Sequence, residues 1–329
     1  MTLRISAIIE RWPVAGQFVI ARGAKTFVNV LVVAVSDGTH VGMGEGTAIY
    51  YGGESAATCL AQVESMIDDL EPMDAETARN VLQVLLPPGA ARNALDCALW
   101  DVAAKSAGVP LWRHIGLTQA PQPLVTAFTI SLGEAALMES DAAKASAKGY
   151  NLLKLKLTGK GDRARVAAVR AGAPTARLIV DANESWGRLD IAKEAVALAK
   201  LGVEMIEQPV AAGQDDVLSN FNSPLPILAD ESCHIAANVA GLAPFYDGVN
   251  IKLDKAGGLT EALKIADAAE AAGLKIMVGC MLSTSLGIAP AFVLAQRADW
   301  VDLDGPALLE SDRDDDAFEF AGGKIIPPA

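Results

Sequence analysis

The sequence predicts an α/β chain in two parts, a (β/α)7β barrel preceded by a smaller α+β unit. Three observations carry this. The 329 residues exceed the length of about 250 typical of a single barrel. In the second two-thirds of the chain, short apolar runs alternate with amphipathic helical stretches, the pattern of parallel βαβ units. Finally, Lys156, Asp181, Glu207, Asp230 and Lys252 recur at intervals of 25, 26, 23 and 22 residues, each at or near the end of an apolar run. One strand, one helix and two turns occupy that length, and the strand C-termini form the active-site face of such barrels.

In chain order, Leu3 to Ile9 and Phe27 to Val35 are rich in β-branched residues and read as strands, with Ser36-Asp37-Gly38 as a hairpin turn. GMGEG, Gly42 to Gly46, reads as a turn leading to a loop at Tyr50-Tyr51-Gly52-Gly53. It is no nucleotide fingerprint, because no helix opens there. Helices follow at Ala56 to Leu70, Ala75 to Leu86 and Ala91 to Ser106, the second stopped by Pro87-Pro88-Gly89. Residues 1–115 form the α+β unit. Beyond Pro110, Pro121 and Pro123, eight strands are expected near 124–130, 152–157, 177–181, 203–207, 226–230, 247–252, 274–279 and 299–303, with seven helical or partly helical stretches between them. The barrel spans 116–305 and lacks its last helix, and the tail 306–329, ending in GGKIIPPA, is expected to return to the first unit.

A net charge of −13 argues against nucleic acid as a partner, since a phosphate backbone demands a basic surface. Cys59, Cys97, Cys233 and Cys280 lie far apart without CxxC spacing, which points to reduced thiols rather than a disulfide framework or zinc site. The N-terminal MTLRISAIIERWP lacks a signal-peptide pattern, and the longest apolar stretch, near Val28 to Val35, is too short to span a bilayer. A soluble cytoplasmic protein without a membrane partner is expected. No decisive interface pattern marks a homo-oligomer, although closed oligomers suit such barrels.

Lys154 and Lys156, at i and i+2 in LLKLKL, project from one face of a strand. Two ammonium groups so placed repel, which lowers their pKa values. A solvated edge strand guarded by lysines is the plainer alternative, but the flanking leucines imply a strand covered on its other face. Asp181, Glu207 and Asp230 offer hard oxygen ligands from three adjacent strands, suited to octahedral Mg²⁺. One such Asp is more often a helix cap; three at near-constant period point to metal. Asp302 and Asp304 share a face at the end of the eighth strand and read alone as a surface turn before Gly305-Pro306.

The KxK of Lys154 to Lys156, the DAN of Asp181 to Asn183, the EQP of Glu207 to Pro209, the DES of Asp230 to Ser232 and the NIKLDKAGGL of Asn250 to Leu259 resemble the lysine–lysine branch of the enolase superfamily, typified by muconate cycloisomerase. ARNALDCALWDVAAKSAGVPLW, Ala91 to Trp112, resembles the last helix of its capping domain, so the resemblance covers nearly the whole chain. It implies a modified TIM barrel with an α+β cap and abstraction of the proton α to a carboxylate, giving a metal-stabilised enediolate. Lys156 and Lys252 would be the two bases, with Lys154 supplementing the cation at the carboxylate oxygens. The mandelate-racemase branch uses a His on the seventh strand; here that strand leads into Cys280 and Met281, and His40, His114 and His234 fall elsewhere.

Within the superfamily a DxD at Asp302 and Asp304 resembles that of dipeptide epimerases, where it binds the substrate's α-ammonium. Thr129 and GCML, with Cys280, Met281 and Leu282, match positions contacting the dipeptide backbone. IARGAK, Ile20 to Lys25, resembles the specificity loop of epimerases acting on alanyl-glutamate, a murein dipeptide, with Arg22 meeting the acidic side chain and Lys25 a helper. The expected activity is thus Mg²⁺-dependent epimerisation of L-Ala-D/L-Glu. The alternatives in this scaffold are cycloisomerase, o-succinylbenzoate synthase and N-acylamino-acid racemase, none of which needs an ammonium site. A silent ligand-binding barrel is disfavoured by the intact lysines and carboxylates.

Overall fold

The computed structural model describes residues 2–20, 23–219 and 222–328. Strands β1 (Arg4–Ile20), β2 (Gly23–Ser36) and β3 (Val41–Thr47) form an antiparallel sheet in that order. β1 and β2 run longer than their β-branched cores, because β1 is an edge strand that tolerates Pro13 and an irregularity between Pro13 and Phe18, where Gly16 adopts φ 81°. The turn after Ser36 is fixed by the Asp37 carboxylate, which accepts from the backbone N–H groups of Thr39 and His40.

Helices α1 (Ala56–Leu70), α2 (Ala75–Leu85) and α3 (Ala90–Ser106) cover one face of this sheet. Ser55 and Thr58 cap α1 reciprocally, and Asp74 caps α2 through the Thr77 N–H. GMGEG is not the expected turn; it lies within β3. Gly42, Gly44 and Gly46 share one face by the period of two, and a Cβ on any of them would collide with the carbonyl oxygen of Ala98, Ala94 or Ala90 respectively. The glycines are there because α3 lies flat on the strand, backbone against backbone.

After β4 (Leu124–Val125) come eight parallel strands in sequential order: β5 (Phe128–Ile130), β6 (Leu152–Lys156), β7 (Arg177–Asp181), β8 (Val203–Glu207), β9 (Ile227–Ala229), β10 (Gly248–Lys252), β11 (Lys275–Gly279) and β12 (Trp300–Asp302). The seam between last and first is stitched by Ala127 N–H to Val301 O (2.8 Å) and Leu303 N–H to the Thr126 hydroxyl (3.0 Å). The expected first strand is split, since Leu124 and Val125 turn away to pair with the tail hairpin β13 (Glu319–Ala321) and β14 (Lys324–Ile326). Between β8 and β9 the helical element among the described residues is a 3₁₀ turn, Asp215–Leu218.

Inside the barrel, Leu152, Ile179, Met205, Leu228, Met277 and Trp300 pack into an apolar layer. Two residues further along each strand, on the same face, stand Lys154, Asp181, Glu207, Asp230, Gly279 and Asp302. A greasy floor therefore lies directly under a polar ceiling. Outward-facing Leu153, Leu155, Val180 and Ile206 pack against the surrounding helices. The first sheet meets the barrel through Val14, Val28, Val30 and Val32, which cluster with Leu282 and Leu309. Glu310 N–H donates to Pro13 O, and Arg313 pairs with Glu10 and Glu45 of the first sheet.

Candidate active site

Asp181, Glu207 and Asp230 come together at the barrel mouth, each offering a carboxylate oxygen within 4.8 Å of the others. All three are buried. Lys154, wholly enclosed, reaches Glu207 Oε2 at 2.6 Å, Asp302 Oδ2 at 2.8 Å and Asp181 Oδ2 at 3.6 Å. Lys156 donates to Asp181 Oδ2 at 2.8 Å from one side of the acidic row, and Lys252 donates to Asp230 Oδ2 at 2.6 Å from the other. Both line one cavity of about 170 Å³, whose walls include Phe18, Tyr50, Tyr51, Cys280, Met281 and Leu282.

The electrostatics differ from the simple repulsion expected between lysines. Burial pulls Lys154 down, but Asp302, Glu207 and Asp181 overcome it and hold the ammonium well above its ordinary value. Lys252 behaves alike: burial and the charge of Lys154 lower it, while Asp230 and Glu207 raise it further. Among the acids, burial raises Asp181, yet Lys156 and Lys154 bring it to about 2. Burial and the neighbouring Asp181 charge lift Glu207 to about 7. Burial also opposes ionisation of Asp230, but Lys252 and Lys255 hold it well below the carboxylate range.

Glu207 Oε2 and Asp230 Oδ1 have ammonium neighbours but accept no properly aligned hydrogen bond. Buried oxygens left in that state are costly unless something else engages them. Three hard oxygens from three strands with lone pairs to spare fit a divalent cation.

Side chains that the period alone did not single out hold these ligands in place. Asn250 donates to Glu207 Oε1 at 2.7 Å; its position two residues before Lys252 was the available signal. Gln208 accepts from the N–H groups of Asp230 and Ser232 and donates to Val210 O, Ser232 and Tyr246, tying three strands together. It adopts φ 34°, and Asn183 after Asp181 adopts φ 42°, left-handed conformations that bulky residues rarely take outside functional sites. Lys255 is buried against Asp230 and the carbonyls of Cys233 and Asn250.

Asp302 and Asp304 are both buried at the end of β12. Asp302 gives one oxygen to Lys154 and leaves Oδ1 without a partner. Asp304 accepts the Thr129 N–H at 2.6 Å, and burial together with the Asp302 charge pushes it to about 7. Thr129 itself lines a neighbouring cleft with Phe18 and Phe128. Arg22 lies outside the described residues. Lys25 lines the main cavity, its ammonium 4.5 Å from the centre of the Tyr50 ring. None of the three histidines is among the cavity's lining residues. At the end of β11, where a base could have stood, Gly279 makes room: a Cβ there would come within 2.8 Å of Asn250 Oδ1 and 3.1 Å of Lys252 Cε.

A parallel eight-stranded barrel with lysines flanking a buried carboxylate triad at its mouth defines an enolase-like protein. The chain belongs to the mandelate racemase / muconate lactonizing enzyme family: residues 3–116 match its N-terminal domain and 136–329 the enolase C-terminal domain-like fold. It is 45% identical to the L-Ala-D/L-Glu epimerase of Escherichia coli over 96% of this chain and 97% of that protein. An Agrobacterium tumefaciens enolase family member with homology to dipeptide epimerases, solved with sodium and L-Ala-L-Glu, superposes with a TM-score of 0.93 at 44% identity, covering 99% and 98% of the two chains. The Cytophaga hutchinsonii dipeptide epimerase complexed with Mg and D-Ala-L-Val gives 0.94 at 25% identity, covering 100% and 94%.

Proposed function

We propose that the chain is a Mg²⁺-dependent dipeptide epimerase acting on L-Ala-D/L-Glu and inverting the α-carbon of the second residue. The observation that carries this is the pair Lys156 and Lys252, set on opposite sides of one carboxylate row and opening into the same cavity. One lysine removes the α-proton and the other returns a proton to the opposite face; for the other epimer the roles exchange. Mg²⁺ held by Asp181, Glu207 and Asp230 would act as a Lewis acid toward the substrate carboxylate and offset the negative field that now keeps Lys252 charged. Lys154 directs a fixed positive charge at the same developing anion.

Asp302 and Asp304 are read as the clamp on the substrate's free ammonium, with Thr129, Cys280, Met281 and Leu282 along the dipeptide backbone. Arg22, through the planar fork of its guanidinium, is read as the partner of the glutamate side chain, and Lys25 as its helper. In this division residues 116–305 carry the chemistry, while 1–115, joined by 306–329, close over the substrate. No helix among the described residues is long and apolar enough to cross a membrane. We place the enzyme in the cytoplasm, with which its four free thiols agree.

The test is a dipeptide panel incubated in D₂O with Mg²⁺ and read by mass spectrometry. Deuterium should enter L-Ala-L-Glu and L-Ala-D-Glu at one position; no exchange into any dipeptide would refute the epimerase. Arg22→Met should lower kcat/KM for alanyl-glutamate by at least about tenfold and narrow the gap to alanyl-leucine. If the variant kept its preference for glutamate, the alanyl-glutamate assignment would fail while the epimerase reading stood. An N-acetylated dipeptide turned over as well as the free one would favour an N-acylamino-acid racemase instead.

A further inference from the structure

Thr47 ends β3 and is buried, and it makes two hydrogen bonds that cross to the barrel. Its N–H donates to Asp254 Oδ1 at 2.8 Å, and its hydroxyl donates to Leu282 O at 2.9 Å. Asp254 follows Lys252 by two residues. Leu282 closes the run that leaves β11 and walls the cavity. The chain then continues from Thr47 directly into Ala48, Tyr50 and Tyr51, which line the same cavity. That stretch is itself a stiff turn: Gly52 N–H and Glu54 N–H both donate to Ile49 O, and the Glu54 carboxylate takes the Ile49 N–H. The strap is therefore held at both ends, through Glu54 to the Ala90 N–H of α3 and through Thr47 to the two segments beside Lys252. Lys156, bonded to Asp181 as Lys252 is to Asp230, stands on β6 across the acidic row from these two ties.

From this we infer that Thr47 and Asp254 are positioning residues that set the Tyr50–Tyr51 strap over the Lys252 side of the cavity, so that they govern proton transfer at Lys252 more than at Lys156. The inference rests on the two-lysine reading above. What Asp254 supplies is an acceptor. Its Oδ1 receives both Thr47 N–H and Asn93 Nδ2 (2.9 Å), and an amide oxygen can receive the same pair. Glu45 and Glu54 add negative charge around it, which favours a neutral amide over a carboxylate at this place.

The experiment measures α-proton exchange in D₂O from each epimer of alanyl-glutamate separately, with Mg²⁺ present, in the wild type and in Lys156→Ala, Lys252→Ala, Thr47→Val, Thr47→Ser, Asp254→Asn and Asp254→Ala. The two lysine variants assign each epimer to its base; if neither abolishes exchange from either epimer, the two-lysine reading fails, and with it the premise. Given that assignment, Thr47→Val should slow exchange from the Lys252-dependent epimer at least about tenfold while changing the other by less than about threefold. Thr47→Ser, which restores the hydroxyl, and Asp254→Asn should both resemble the wild type. Asp254→Ala should reproduce the one-sided loss and serves if Thr47→Val does not fold. Equal slowing of both epimers by Thr47→Val and Asp254→Ala, or no slowing, would overturn the positioning role.

Discussion

Asp304 stands beside a like charge on Asp302 in a buried site, and its carboxyl is lifted to about 7. A carboxyl so raised is an anion only above that pH, whereas a substrate ammonium needs the anion. With free L-Ala-L-Glu, kcat/KM should therefore fall as pH drops below 7, approaching about tenfold per unit; a flat profile from pH 8 to 5 would remove Asp304 from substrate binding. Asp304→Asn should impair turnover strongly and make this limb shallower, leaving the part that belongs to Glu207. The same shift acts on folding with the opposite preference: the proton is held more tightly in the folded chain, so this group's contribution is full below about 4 and is lost as pH rises through 7. A second outcome concerns Asn250. Asn250→Leu leaves Glu207 Oε1 without its donor and should weaken Mg²⁺ binding by about 10–100-fold, measured by calorimetric titration. The acidic row and its lysines were legible in the sequence because strand period and crossover length jointly dictate where their side chains emerge. Lys255 was not, since it sits past the strand in a helical turn, and nothing local tells a buried counter-ion from a solvated lysine. Nor could the sequence convey that Lys154 and Lys252 would be held charged by the acids around them.

At the level of elements, the glycine face of β3 is the most specific packing device in the chain. Gly44→Ala places a methyl group against the Ala94 carbonyl and cannot be relieved by a rotamer, so helix and strand must part. It should cost about 1–3 kcal/mol or more, read as a lowered urea midpoint at unchanged slope. The sequence suggested a turn here because glycine density is what turns and close backbone approaches have in common; only the spacing of two, shared with the length of α3, distinguishes them. The helices α1 to α3 were readable to within a residue, since caps and a Pro-Pro stop are local signals. The connection between β8 and β9 was less so. Tyr246 and Ser232 hold Asp215 there in a side-chain network, which occupies the place of a full crossover helix.

For the whole molecule, the dominant fact is that buried charge of both signs is concentrated at the barrel mouth and balanced only approximately. A cation that binds the folded site and not the unfolded chain stabilises by mass action: at about 100 times its dissociation constant the gain is about 2.7 kcal/mol. Exhaustive chelation should thus abolish exchange and lower Tm, and Mg²⁺ should restore both. Asp230→Asn should lose activity and the Mg²⁺-dependent rise in Tm together; full activity after chelation would dismiss the metal site.

The glycine at position 279 carries a consequence for how such a protein can change. The Asn250 amide and the Lys252 stem fill the space beside it, so a side chain at this position on β11 crowds first the donor to Glu207 and then the lysine. A histidine introduced at 279 therefore cannot simply be added to the wall; it must displace the amide that steadies Glu207. Any side chain at 279 should thus be tolerated only together with a second change at Asn250, and Gly279→Ala alone should weaken Mg²⁺ binding as Asn250→Leu does.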